Sequence, residues 1–119
     1  MTDDEQKEYC LVGFEECINY TEDAIDLDFD YNVRNKDELD DLSLELFTYK
    51  ELYSRLLDSG SCFYEDVIGD FQSEMLEYSR YNKKLSRKFM YMFNVASEFL
   101  EYIYMIVDEE SEYRKEKAC

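Results

Sequence analysis

The chain predicts an all-α fold: a small bundle of about four helices, with a long C-terminal helix and an acidic loop at 21–36. Three observations carry this. The 119 residues contain no proline and only three glycines, so little interrupts a helix. Apolar residues recur at three- and four-residue spacing in four stretches. The composition is 45% hydrophobic and 17% aromatic, too apolar for a disordered acidic tail. At this length it suits one core in a single domain spanning 1–119.

The first helix is predicted from Asp3 to Tyr20, where Cys10, Phe14, Cys17 and Ile18 share one face, with Leu11 beside them and Gly13 as a weak point. From Thr21 to Lys36 the period is lost, which predicts a loop with a short extended piece. A second helix follows from Asp37 to Asp58. Asn35 suits its N-cap, acids fill its first turn, and Ser59-Gly60 is a stop signal. The third helix is expected from Ser61 or Cys62, on a stripe of Phe63, Val67, Phe71, Met75 and Tyr78. The fourth runs from Asn82 to Tyr113, continuous with the third or kinked from it near Arg80-Tyr81-Asn82. Its stripe is Leu85, Phe89, Met92, Phe93, Ala96, Phe99, Leu100, Ile103 and Val107. Met90, Tyr91, Tyr102, Tyr104 and Met105 lie outside that stripe, so this helix is central or has a second partner. That leaves room for a homodimer through it. The core is assigned to Leu39, Leu42, Leu46, Phe71, Phe89, Phe93 and Phe99.

Charge is the dominant feature. Thirty acids oppose thirteen bases, for a net charge of −17. The imbalance is uneven: residues 1–79 carry −18 and residues 80–119 carry +1. Such a chain repels nucleic acid and anionic membrane and attracts basic surfaces. The basic cluster Arg80, Lys83, Lys84, Arg87 and Lys88 is expected to pair with the chain's own acids across the bundle, or with the acidic face of a second copy. Phe89 to Val107 is the one apolar run of membrane-spanning length, and Glu98 and Glu101 inside it are costly in a bilayer. No membrane partner is expected.

Catalysis and cofactors find little support. There is no histidine, so the usual base for a nucleophile is missing. Cys10, Cys17, Cys62 and Cys119 lack the short spacing of a zinc site. Cys10 and Cys17, on an apolar stripe, are expected in the core. The start, MTDDEQKEY, has no basic and apolar leader pattern, so a reducing cytoplasm is the expected location. The run DAIDLDFDYN (23–32) resembles a calcium loop in placing Asp26, Asp28 and Asp30 at loop positions 1, 3 and 5. However, Tyr31 stands where such a loop needs glycine, and Asp37 where it needs glutamate. No metal, no cofactor and no enzymatic activity are expected.

The pattern of acids remains. Asp37, Asp41 and Glu45 repeat at i+4, and so do Asp66, Asp70 and Glu74. Like charges at that spacing destabilise a helix by about 0.2–0.5 kcal/mol each. Carboxylates at i+4 on a helix advance by about 6 Å, and at i+2 on an extended chain by about 6.6 Å. Phosphates along one DNA strand are spaced comparably through space. Rows of acids, with Tyr20, Phe29, Tyr31 and Tyr64 interleaved as stand-ins for bases, suit a groove of lysine and arginine. The expected function is therefore a stoichiometric inhibitor that mimics nucleic acid and blocks a basic nucleic-acid-binding protein, as phage-encoded anti-CRISPR and anti-restriction proteins do. The contacts expected are Glu22, Asp23, Asp26, Asp28, Asp30, Asp37, Asp41, Glu45, Asp66, Asp70 and Glu74. In this reading Asp26, Asp28 and Asp30 share one side of an extended segment, and Leu27, Phe29 and Tyr31 anchor it to the bundle. The alternative is a helical adaptor or viral inhibitor that docks on a host protein by an apolar helix face.

Overall fold

The computed structural model describes residues 2–60 and 63–118, with side chains described up to 109. Four helices make a small all-α bundle: α1 (Asp3–Tyr31), α2 (Lys36–Asp58), α3 (Tyr64–Tyr81) and α4 (Ser86–Ala118).

Helix α1 starts at Thr2, whose hydroxyl oxygen accepts from the Glu5 N–H at 3.2 Å. Asp3, Asp4 and Glu5 then meet the positive end of the helix dipole. The helix does not stop at Tyr20. It continues into the expected loop as far as Tyr31, so residues 23–31 are helical and no calcium loop forms there. The buried stripe also continues, from Phe14 through Thr21 to Asp28, at helical spacing but with polar residues in the inward positions. Thr21 satisfies its hydroxyl on the Cys17 carbonyl at 2.7 Å. Asn32, at φ 52°, closes the helix in the left-handed conformation. Asp28 accepts from the Arg34 N–H beyond it, and the Arg34 guanidinium donates to the Ala24 carbonyl at 3.3 Å.

Asn35 caps α2 by accepting from the Glu38 N–H at 2.8 Å. Ser59 and a left-handed Gly60 end it. The inward positions of α2 are Thr48, Leu52 and Leu56. Leu39, Leu42 and Leu46 are only half-buried, because at 3.6 residues per turn they lie roughly 80–140° round the helix from the face of Thr48, Leu52 and Leu56. In α3 the buried stripe is Tyr64, Ile68, Phe71 and Met75. It lies one residue after the expected Phe63 and Val67, and Phe63 and Tyr78 are exposed. Helix α3 begins at Tyr64, and the expected starts at Ser61 or Cys62 lie outside the described residues. Asn82 to Leu85 is a turn, and α4 begins only at Ser86. The two helices are therefore separate, and Leu85 is exposed. On α4 the buried positions are Met92, Val95, Ala96, Phe99 and Ile103, with Phe89, Phe93, Leu100 and Val107 packed against them.

Contacts fix the arrangement. Helices α1 and α2 are antiparallel, tied by Glu22–Lys50 at 3.0 Å and Tyr53–Glu15 at 2.8 Å. Helices α3 and α4 are antiparallel, with Gln72 donating to the Phe93 carbonyl and to Ser97. Helices α2 and α4 run in the same direction: Asp41 meets Arg87 and, four residues on in each helix, Glu45 meets Tyr91. The core is centred on Phe14 and Phe99, whose rings stack 3.9 Å apart. Gly13 permits this approach, since a Cβ there would lie 3.2 Å from Ile103 Cδ1 and 3.3 Å from Phe99 Cζ. Cys10 is fully buried beside them, and desolvation pushes its thiol up to about 12. Among the described residues no helix is long and apolar enough to cross a membrane.

Candidate partner-binding surface

Between Lys7 and Arg34 the chain has eight acids and no base, and all eight lie on α1. Glu8, Glu15, Glu16, Asp23, Asp26 and Asp30 are exposed. At 3.6 residues per turn they fall within a sector of about 100° and extend over about 33 Å of helix. Glu15 accepts a hydrogen bond from Tyr53. The other five have no ion pair or hydrogen bond among the described residues. Tyr20 and Leu27 flank this stripe and are exposed. At its end Phe29 is 90% exposed, with Tyr31 and Val33 exposed beside it. A cavity of about 380 Å³ opens there, lined by Ile25, Asp28, Phe29, Asn32, Leu39 and Ser43.

This differs from the sequence reading in four ways. Asp26 and Asp30 share a face at i+4, not at i+2 on an extended strand. Asp28 points the other way and is 3% exposed; it stabilises the chain reversal after α1 and is not available to a partner. Leu27, Phe29 and Tyr31 do not anchor the segment, because in a helix the inward positions fall on Thr21, Ile25 and Asp28 instead. Of the interleaved aromatics, Tyr20, Phe29 and Tyr31 are exposed, but Tyr64 is buried.

The remaining expected contacts divide between free surface and helix seams. Asp37, Asp66 and Asp70 are exposed. Glu22 pairs with Lys50, and Asp41 lies 3.6 Å from Arg87. Glu45 accepts from the Tyr91 hydroxyl at 2.8 Å. Glu74 Oε2 is fully buried and lies 2.7 Å from Arg55 Nη1, a charge contact without a well-aligned hydrogen bond. Each i+4 ridge therefore runs from bare carboxylates into an interhelical seam: outwards along α1 from Glu22, inwards along α2 to Glu45 and along α3 to Glu74. Of the basic cluster, Arg87 alone has an ion pair among the described residues.

The seams use tyrosine where lysine is scarce. Tyr53 donates to Glu15, Tyr91 to Glu45 and Tyr104 to Glu65, each at 2.8 Å and each between two helices. The pKa of Tyr91 is raised by burial, then by its bond to Glu45 and the charges of Glu45, Asp41 and Glu98. Tyr104 is raised by burial and by its bond to Glu65. Tyr53 is raised chiefly by its bond to Glu15. Arg55 is the cationic counterpart. It bonds Glu51 at 3.0 Å, reaches Glu74 on α3 and stands 5.3 Å from the Phe71 ring centroid. Burial works against its charge, but the hydrogen bond to Glu51 and the close carboxylate of Glu74 outweigh that and hold its pKa above the usual value.

Sequence reasoning missed Glu8, Glu15 and Glu16. The signal that finds them is the absence of any base from 8 to 33, once that whole stretch is one helix. Among the described residues no three His, Cys, Asp or Glu side chains are grouped to hold a metal ion. No protein-family model matches this chain, and no curated protein or solved structure is detectably similar to it.

Proposed function

We propose that this protein acts by stoichiometric binding, without catalysis, and occupies the nucleic-acid site of a basic protein. A phage-encoded anti-CRISPR or anti-restriction protein working in the host cytoplasm is the kind of protein that fits. The observation that carries the reading is the outer face of α1: about 33 Å of solvent-facing carboxylates with no base among them, edged by Tyr20 and Leu27 and ending on Phe29 and Tyr31. Carboxylates accept charge-assisted hydrogen bonds from lysine and arginine as phosphates do, and exposed rings offer what a base offers to a stacking residue. The bare carboxylates of Asp37, Asp66 and Asp70 extend the negative field and speed encounter.

The test is capture from host cells by the intact chain and by a D23N/D26N/D30N variant. The expected result is a basic nucleic-acid-binding protein, released by added nucleic acid, whose affinity falls steeply with salt and drops tenfold or more, roughly, in the variant. A complex insensitive to salt and to nucleic acid overturns the reading.

A second reading has its own observation. Leu27, Phe29, Tyr31 and Val33 at one end of α1, and Tyr102 and Met105 on α4, are apolar and exposed. In an adaptor that docks by such a surface, with a host protein or a second copy as partner, Phe29→Ala or Met105→Ala abolishes binding and the amide variant does not.

A further inference from the structure

At the edge of the acidic stripe, sharing Glu16 with it, three helices converge on a cavity of about 280 Å³ whose lining also includes Cys17, Tyr20, Thr21, Glu45, Tyr49 and Tyr102. We propose that it is a binding site for an organic cation: a guanidinium or alkylammonium group held among Tyr20, Tyr49 and Tyr102, with Glu16 and Glu45 supplying the counter-charge.

Three features point to this ligand class. First, three of the lining side chains are aromatic and each comes from a different helix: Tyr20 from α1, Tyr49 from α2 and Tyr102 from α4. Tyr49 and Tyr102 are held in place by Phe99, with ring centroids 6.2 and 6.5 Å from it. Tyrosine rings attract cations through their quadrupole, and the volume suits a side-chain-sized head group. Second, no basic residue lines the cavity. Lys50, the residue after Tyr49, is engaged by Glu22. Third, the buried hydroxyl among the lining residues is already committed, since Thr21 donates to the Cys17 carbonyl at 2.7 Å. What remains open to a ligand is carboxylate oxygen, aromatic ring and tyrosine hydroxyl. The field agrees. Burial raises Cys17 most, and Glu16 and Glu45 raise it further against the Tyr49 bond. Tyr49 is raised by burial and then by its charged surroundings, Glu45 and Glu98 among them. A cation is the charge this site lacks.

The site stands whether or not the proposed blockade is right. If that reading holds, the cation is an arginine or lysine side chain of the target, seated beside the acidic stripe through Glu16. Otherwise it is a free small cation. The experiment is a titration of the intact protein, followed by NMR of the tyrosine rings and nearby amides. The probes are N-acetyl-arginine amide and tetramethylammonium chloride, with sodium chloride at matched ionic strength as control. We expect saturable shifts at Cys17, Tyr20, Tyr49 and Tyr102 that sodium does not produce. Tyr20→Ala should weaken binding by about fivefold, and Glu16→Gln by a smaller factor. Tighter binding of the arginine probe assigns the site to a protein side chain, and tighter binding of tetramethylammonium to a small quaternary cation. Shifts that sodium reproduces, or shifts spread evenly over the acids of α1, α2 and α3, overturn the proposal. So does unchanged probe affinity in Tyr20→Ala, whose side chain is 75% exposed and whose loss spares the core.

Discussion

The seam between α2 and α4 and the outer face of α1 are built from the same residue type and use it in opposite ways. At the seam each carboxylate has a partner: Asp41 has Arg87 and Glu45 has Tyr91. On the outer face Glu8, Glu16, Asp23, Asp26 and Asp30 have none among the described residues, although two of them, Asp26 and Asp30, repel each other at i+4. Acids at the seam contribute to the fold. Acids on the outer face work against it, so their presence needs a reason outside the fold. That contrast supports an interface on α1 better than the net charge does, because net charge counts both kinds alike.

The sharpest break in the contrast is expected at Arg55. Arg55→Ala leaves Glu74 Oε2 buried without its cation, strips Glu51 of its partner and removes the contact with Phe71. The expected loss is about 2–3 kcal/mol, measured as a shift of the urea midpoint at unchanged slope. A loss below roughly 0.5 kcal/mol, the level of an exposed pair, would mean that the α2–α3 seam is no different from the surface. Asp28 comes next. Asp28→Ala frees the Arg34 N–H and the turn that follows α1, at about 1–2 kcal/mol. Helical content should fall with it if the last turns of α1 depend on that closure.

Asp28 also shows how much the sequence disclosed. Local signals were legible: the Asn35 cap, the Ser59-Gly60 stop and the first helix's start each depend on a few adjacent residues. The second half of α1 was not, because its inward positions hold Thr21 and Asp28. A search for apolar periodicity ends where the buried face turns polar. In α3 the apolar doublets Phe63-Tyr64 and Val67-Ile68 offer two stripes one residue apart, and spacing alone does not choose between them. Among the core assignments, Phe71 and Phe99 are buried, while Leu39, Leu42 and Leu46 have a helical period on a face of α2 turned away from Thr48, Leu52 and Leu56. The tyrosine–carboxylate pairs were beyond reach altogether. They join residues 38 to 46 positions apart, and no pattern within one helix announces them. The candidate site was legible as chemistry, in Asp23, Asp26 and Asp30, and illegible as geometry.

A smaller effect probes the tyrosines. Tyr91→Phe keeps the ring and removes the donor, so Glu45 loses its partner, for about 1 kcal/mol. Alkaline titration checks the same seams without mutation. Cys10 and Tyr64 are each pushed up to about 12, from 9.0 and 10.0 in the unfolded chain, chiefly by burial, and Tyr49 and Tyr91 are raised too. A group whose pKa is raised by folding stabilises the native state fully below its unfolded pKa and loses that contribution as pH rises through the folded one. Stability should therefore be unaffected by these groups up to about pH 9 and decline from there to about pH 12. Tyr91→Phe should shallow that decline. A decline of unchanged depth would remove Tyr91 from the account.

The smallest expected effect on stability is the most informative about function. Neutralising Asp23, Asp26 and Asp30 as amides removes no contact of the fold. Stability should change by less than about 0.5 kcal/mol, or rise slightly as like-charge repulsion is relieved. Added salt should stabilise the parent more than the variant, because screening relieves repulsion that the variant no longer has. If instead the amide variant is destabilised by 1 kcal/mol or more, these carboxylates have a structural role, and the contrast with the α2–α4 seam disappears. Stability that holds, together with a loss of target binding, would separate the two uses of acid within one chain. The same three side chains would then be dispensable to the helix that carries them and necessary to the surface it presents.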